Sequence, residues 1–172
     1  MLNTRGPRIM PLFISMLLGT QAHAQQPPDF SKVDIKSTQL ADDFYTLEGM
    51  GGTISVLTGP DGVLLVDSQF APLTDKLVAA IRKLSTKPIR YLIDTHVHPD
   101  HTGGNENFAK LGAVIFSRDQ LRSRLEHPNP APDGTPGKTA PPLALPVVTG
   151  RSGIHSLRWG GCASRADAAR PH

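Results

Sequence analysis

Apolar residues occur first as short runs and then in a helical rhythm. Residues 33–40, 44–47 and 53–57 have strand character, and Gly49-Met50-Gly51-Gly52 separates the last two. Gly59-Pro60-Asp61-Gly62 is a turn signal between Ile54–Leu57 and Val63–Val66, so this pair reads as a β-hairpin with a buried second strand ending at Asp67. Then the period changes. Leu73, Leu77, Val78, Ile81 and Leu84 fall on one helical face, with Asp75, Lys76, Arg82 and Lys83 between them. Pro88 ends the break after that helix, and Ile89–Ile93 is another short buried strand. Residues 103–111 read as a helix start, 113–116 as a strand, 119–126 as a helix, 127–142 as a Pro/Gly-rich loop and 143–148 as one more strand. Strands first, then strand and helix in alternation, predict an α/β layered domain with helices covering a sheet.

Both ends depart from this pattern. Arg5 and Arg8 precede an apolar run, Ile9–Gly19, and Ala22-His23-Ala24 has the small-x-small form of a cleavage site. Residues 1–24 are expected to be a signal peptide cut after Ala24, with a periplasmic or secreted product; an uncleaved anchor is the alternative. The run is short for a bilayer span, so no stable span is expected after cleavage. Residues 150–172 have no period of 2 or 3.6, and Gly, Arg, Ala, Ser and Pro dominate them. We expect this tail to be an out-of-frame or disordered extension, with a divergent natural terminus as the alternative. Residues 25–149 remain as the folded part.

The net charge of +3 comes from these ends. Residues 25–150 hold 12 of the 18 basic and 14 of the 15 acidic residues, a balance of −2. With aromatics at 5%, neither a basic face nor a stacking platform is visible, and no nucleic-acid partner is expected. The single cysteine, Cys162, excludes an intrachain disulfide and a cysteine-rich zinc site.

Candidate chemistry is concentrated where strand 89–93 ends, in His96-Val97-His98-Pro99-Asp100-His101. The C-terminal end of a buried strand is the usual place for a site in such a sheet. In extended backbone, His96 and His98 point the same way and can share a cation, and neutral imidazole is a preferred zinc donor. The chain must turn after Pro99, so Asp100 and His101 project differently and can serve a neighbouring metal. Zinc lowers the pKa of bound water to near 7, and the Asp100 carboxylate can orient that nucleophile and accept its proton. Asp100 is therefore the catalytic candidate, and His96, His98, Asp100 and His101 are the candidate metal ligands.

The segment Thr95-His96-Val97-His98-Pro99-Asp100-His101-Thr102-Gly103-Gly104-Asn105 resembles the signature of the metallo-β-lactamase fold superfamily, and the likeness extends from about Asp43 to Leu125. The resemblance implies the N-terminal half of an αββα sandwich, a mixed sheet with flanking helices. It implies that His96 and His98 ligate one zinc while Asp100 and His101 serve a second. Asp67 would support the site from behind, with a turn cap as the alternative reading. Gly103 and Gly104 would permit close packing and a helix start behind the ligands, with a simple turn as a compatible alternative.

That pattern continues downstream with a further zinc-1 histidine, a bridging Asp or Cys and a zinc-2 histidine. After His101 the chain offers His127, His155 and His172, none in a comparable strand-loop context. The expectation is a zinc-dependent hydrolase, with one or two Zn2+ per complete site, acting on a small-molecule amide or ester-type carbonyl, β-lactam among them. The chain as it stands is expected to be incomplete and weakly active or inactive. The alternative is a non-catalytic metal-binding fragment or gene remnant.

Overall fold

The computed structural model describes residues 28–151. The expected signal segment and the tail beyond Arg151 lie outside the described residues. Seven strands form one sheet in chain order: β1 (Lys36–Ala41), β2 (Phe44–Glu48), β3 (Thr53–Gly59), β4 (Gly62–Val66), β5 (Ile89–Ile93), β6 (Val114–Arg118) and β7 (Val148–Gly150). The first four pair antiparallel and the last three add parallel, so the sheet is mixed. The change at β4 follows from its connections. A tight turn joins β3 to β4 with Gly59 opposite Gly62, whereas a helical crossover, α1 (Thr74–Leu84), joins β4 to β5. Gly62 takes φ +140, and a Cβ there would lie 2.8 Å from the Pro88 carbonyl oxygen, so glycine is required at this turn.

One face of the sheet carries the core. Leu47, Ile54, Val56, Val63, Leu65, Leu92 and Ile115 alternate along their strands and pack with Leu77 and Ile81 of α1. Phe108, from helix α3 (Asn105–Lys110), completes this cluster and is fully buried. On the reverse face, strand register aligns Phe44, Leu57, Leu64, Tyr91 and Val114 in a second apolar row across five strands. An N-terminal sheet layer with apolar residues on both faces is what half of a sandwich requires.

The ligand segment becomes a short helix, α2 (Pro99–Thr102), directly after β5. Pro99 suits the first helical position because its missing N–H is not needed there. Helix α4 (Asp119–Glu126) follows β6 over the range expected from sequence. The expected strand at 143–148 needs correction: Pro142–Ala144 is a 3-10 turn, and β7 covers only Val148–Gly150. Pro141, Pro142 and Pro146 lack backbone donors, so pairing can begin only beyond them. Gly150, expected to open the irregular tail, instead ends β7 opposite Arg118.

Candidate metal centre

The site sits at the C-terminal ends of β4 and β5. Chain direction reverses sharply after β4, where Asp67 and Gln69 adopt φ of 68 and 59. Non-glycine residues in this left-handed region carry strain that surrounding contacts must offset, and such strain clusters at functional sites. The contacts are present. Asp67 N–H donates to the Ile93 carbonyl at 2.9 Å, Ser68 N–H to the His101 carbonyl at 2.7 Å, and Gly104 N–H to the Gln69 carbonyl at 2.8 Å. The bend after β4 and the loop after β5 are thus tied through their backbones.

Asp67 organises the histidines. It is only 4% exposed. Its Oδ1 accepts from Thr95 N–H at 2.8 Å, its Oδ2 accepts from Thr95 Oγ1 at 2.7 Å, and Oδ2 lies 2.8 Å from His101 Nδ1. Thr95 Oγ1 is also 2.9 Å from His96 Nδ1. Proton counting assigns the tautomers. A carboxylate accepts only, so His101 Nδ1 carries the proton it donates to Asp67. The Thr95 hydroxyl has one proton and gives it to Asp67, so it must accept from His96 Nδ1–H. In the neutral form of each ring these contacts leave the lone pair on Nε2, the form a metal requires.

Of the sequence-predicted ligands, His96 and His101 come together, with ring centroids 3.9 Å apart. With Asp67 they form a trio whose donor atoms all lie within 4.8 Å of one another. His98 lies beside this trio, its ring centroid 4.8 Å from that of His96, and Asp100 Oδ2 is 3.4 Å from His101 Nε2. All four predicted residues occupy one patch, but His98 and Asp100 stand outside the tightest grouping. His96 and His98 are exposed, whereas Asp100 and His101 are half-buried. The donor set, imidazoles beside carboxylates, fits zinc. His127 lies outside this grouping, at the end of α4.

A second layer fixes the loop from beneath. Asn105 is fully buried; it donates from Nδ2 to Asp94 Oδ2 at 2.7 Å and to the Ala144 carbonyl at 3.1 Å, and it accepts from Ser68 Oγ at 2.7 Å. Burial pushes the Asp94 carboxyl up to about 8; the Asn105 hydrogen bond opposes this shift and the nearby Asp67 charge adds to it. Gly103 and Gly104 pack as the motif implied: a Cβ on Gly104 would lie 2.4 Å from the Ser68 carbonyl oxygen.

From above, the glycine-rich segment between β2 and β3 presses on the ligands. A Cβ on Gly52 would be 2.6 Å from both Cε1 and Nε2 of His101, and one on Gly51 would be 2.8 Å from Asp100 Cβ. Buried Gln69 holds this segment by donating from Nε2 to the Gly52 carbonyl. Sequence pattern marks Gly49–Gly52 only as a break and gives Thr95, Gln69 and Asn105 no role. Their one signal is closeness to motif residues along the chain, which does not specify a hydrogen-bond partner.

Comparison with known proteins agrees with this architecture. The family model described as the metallo-beta-lactamase superfamily matches residues 47–151, well over half of the chain. A linear primary-alkylsulfatase from a Pseudomonas species is 31% identical over 105 residues, covering 57% of this chain and 18% of that protein. A coenzyme F420H(2) oxidase from Methanothermobacter marburgensis is 32% identical over 63 residues, covering 34% of this chain and 16% of its own. Among solved structures, a subclass B3 metallo-beta-lactamase from a soil metagenome library matches with TM-score 0.59 and 18% identity, over 74% of this chain and 50% of that one. A metallo-beta-lactamase from Cronobacter sakazakii matches with TM-score 0.57 and 16% identity, over 69% and 48%. The chain thus spans less than a fifth of these curated relatives and about half of the solved chains.

Proposed function

The chain belongs to the metallo-β-lactamase superfamily, and we propose that its site is that of a zinc-dependent hydrolase, with water attacking an amide, ester or sulfate-ester bond of a small molecule. The observation that carries this reading is the single carboxylate, Asp67, that engages His101 Nδ1 directly and His96 Nδ1 through Thr95, gathering the three residues into one donor cluster. Zinc held there by His96, His98, Asp100 and His101 would supply Lewis acidity, polarising the scissile group and lowering the pKa of water. The chain's own residues do the rest. Asp67 and Thr95 hold the imidazoles in place. Asp100, half-buried beside His101, orients the attacking water and takes its proton at a carboxylate oxygen. Gly51 and Gly52 close one side of the site, where any side chain would overlap Asp100 or His101.

Sulfate esters join carbonyl substrates because of the similarity to an alkylsulfatase. Export to the periplasm, after cleavage at Ala24, is proposed on the pattern of residues 1–24. No helix among the described residues is long and apolar enough to cross a membrane.

The test is hydrolysis of nitrocefin, a thioester, a lactone and an alkyl sulfate by the full chain, with zinc and with a chelator. A catalytic zinc takes three protein ligands plus water, while the spacing of this loop supplies two per ion, so we expect zinc-dependent turnover well below ~1 s⁻¹. Asp100→Ala should abolish it. A rate indifferent to the chelator or to that substitution would exclude this site as the catalyst. Tight zinc binding with no turnover on any substrate would instead favour the non-catalytic metal-binding reading.

A further inference from the structure

A cavity of about 550 Å³ opens beside the metal centre, between the ligand loop and the start of α4. Thr95, His96 and Val97 line one wall, and Arg118, Gln120, Leu121 and Arg124 line the other. Buried Leu121 and half-buried Val97 give it an apolar floor. Its charged lining is two guanidinium groups with no carboxylate among them.

The two arginines differ from their neighbour in how they are partnered. Arg122, between them on α4, is neutralised: it pairs with Glu126 at 2.8 Å and also donates to the Pro146 carbonyl. Arg118 makes one bond, from Nη2 to the Arg151 carbonyl at 3.2 Å. Arg124 has no ion pair or hydrogen bond among the described residues. An anion entering this cavity meets two guanidinium groups and no carboxylate in its lining, which favours it over a neutral ligand. Guanidinium also presents paired N–H donors that match the spacing of carboxylate or sulfate oxygens.

We propose that this cavity is the substrate-side anion subsite: Arg118 and Arg124 hold an oxyanion of the substrate while its apolar body lies over Val97 and Leu121 and its reacting group reaches the metal at His96. The substrate class is therefore a small amphiphilic molecule bearing a carboxylate or sulfate group. This deepens the hydrolase reading and rests on it for the direction in which the substrate points. The subsite itself needs only the two arginines.

Binding of phenylacetate, benzenesulfonate and neutral phenylacetamide to the full chain, followed by ligand-observed NMR with and without Co2+, tests the proposal. At least one anion should bind about tenfold tighter than the amide, as expected for about one added charge-assisted hydrogen bond. Which anion is preferred distinguishes carboxylate from sulfate substrates. Co2+ should broaden the bound ligand's signals, because the cavity adjoins His96. Arg118→Gln with Arg124→Gln should remove the preference, while Arg82→Gln with Lys83→Gln, an equal charge change on α1, should leave it intact. Both arginines are exposed, so the fold should survive, with circular dichroism as the check. Equal binding of anions and amide, a preference that survives the double arginine substitution, or one lost equally on α1 would overturn the proposal. An arginine-dependent preference in a chain that binds no Co2+ would keep the subsite and remove the hydrolase reading.

Discussion

The two ends of the ligand loop are built differently. His101 is half-buried, bonded directly to Asp67, pressed by Gly52 and carried on a helical turn tied by its own carbonyl to Ser68. His96 is exposed and reaches the same carboxylate only through the Thr95 hydroxyl, and His98 is exposed beside it. The described residues thus preorganise the Asp100–His101 end and leave the His96–His98 end with one indirect tie. A ligand held rigidly before the metal arrives loses less entropy on binding it, so the two ends should respond unequally to loss of their supports.

The largest effect should follow Asp67→Asn. Asparagine tolerates the left-handed backbone at this position, but its single amide oxygen cannot replace both carboxylate oxygens, so the amide NH2 faces either Thr95 N–H or the His101 and Thr95 side-chain donors. Removing such an outer partner typically lowers metal affinity about 10–100-fold. Thr95→Val cuts the His96 branch and one hydroxyl donor to Asp67 but leaves the direct Asp67–His101 contact, and should cost less. Competition with a chromophoric zinc chelator measures both, and equal losses would abolish the asymmetry.

Gly52→Ala comes next. Gly52 does not have positive φ, so alanine adds a volume problem without backbone strain. The His101 ring cannot swing aside without leaving Asp67, so zinc affinity should fall by about tenfold, the effect of removing one support. Wild-type affinity in this variant would mean that the segment stands clear of the ligand in solution.

The smallest effect concerns the buried layer. Asp94 has a folded-state pKa of about 8, above the unfolded value near 4. The folded chain therefore binds this proton more tightly, and the resulting stability is complete below pH ~4 and is lost as pH rises through about 8. Asp94→Asn, which keeps an acceptor for Asn105, removes this dependence. Denaturant unfolding of metal-free protein should show wild type losing at least ~1 kcal/mol relative to Asp94→Asn between pH 5 and 8, about the value of one pK unit. A pH-independent difference would contradict the assignment.

Period and punctuation are enough to locate β5, α4 and the 59–62 turn, because local pattern alone determines those elements. The sequence also marks a donor cluster, since three imidazoles and a carboxylate fall in six residues after a strand; the structure groups His96 and His101 with Asp67 and leaves His98 and Asp100 beside them. The strand expected at 143–148 fails because prolines override an apolar run, and only a short segment beyond Pro146 pairs. The role of Asp67 is legible only as a resemblance, and those of Thr95, Asn105, Gln69 and Gly52 are not legible at all. Their partners lie far away in sequence, as with Asp67 and His101 or Gln69 and Gly52. Long-range hydrogen bonds leave no periodic trace.

That the loop from His96 to His101 holds zinc is tested most directly by the zinc content of the dialysed chain and of its His96→Ala, His98→Ala double variant. Both histidines are exposed, so the fold should persist and circular dichroism should be unchanged. The expected result is stoichiometric zinc in the wild type and its loss from the double variant; a double variant retaining the same zinc would place the ligands elsewhere and contradict the assignment.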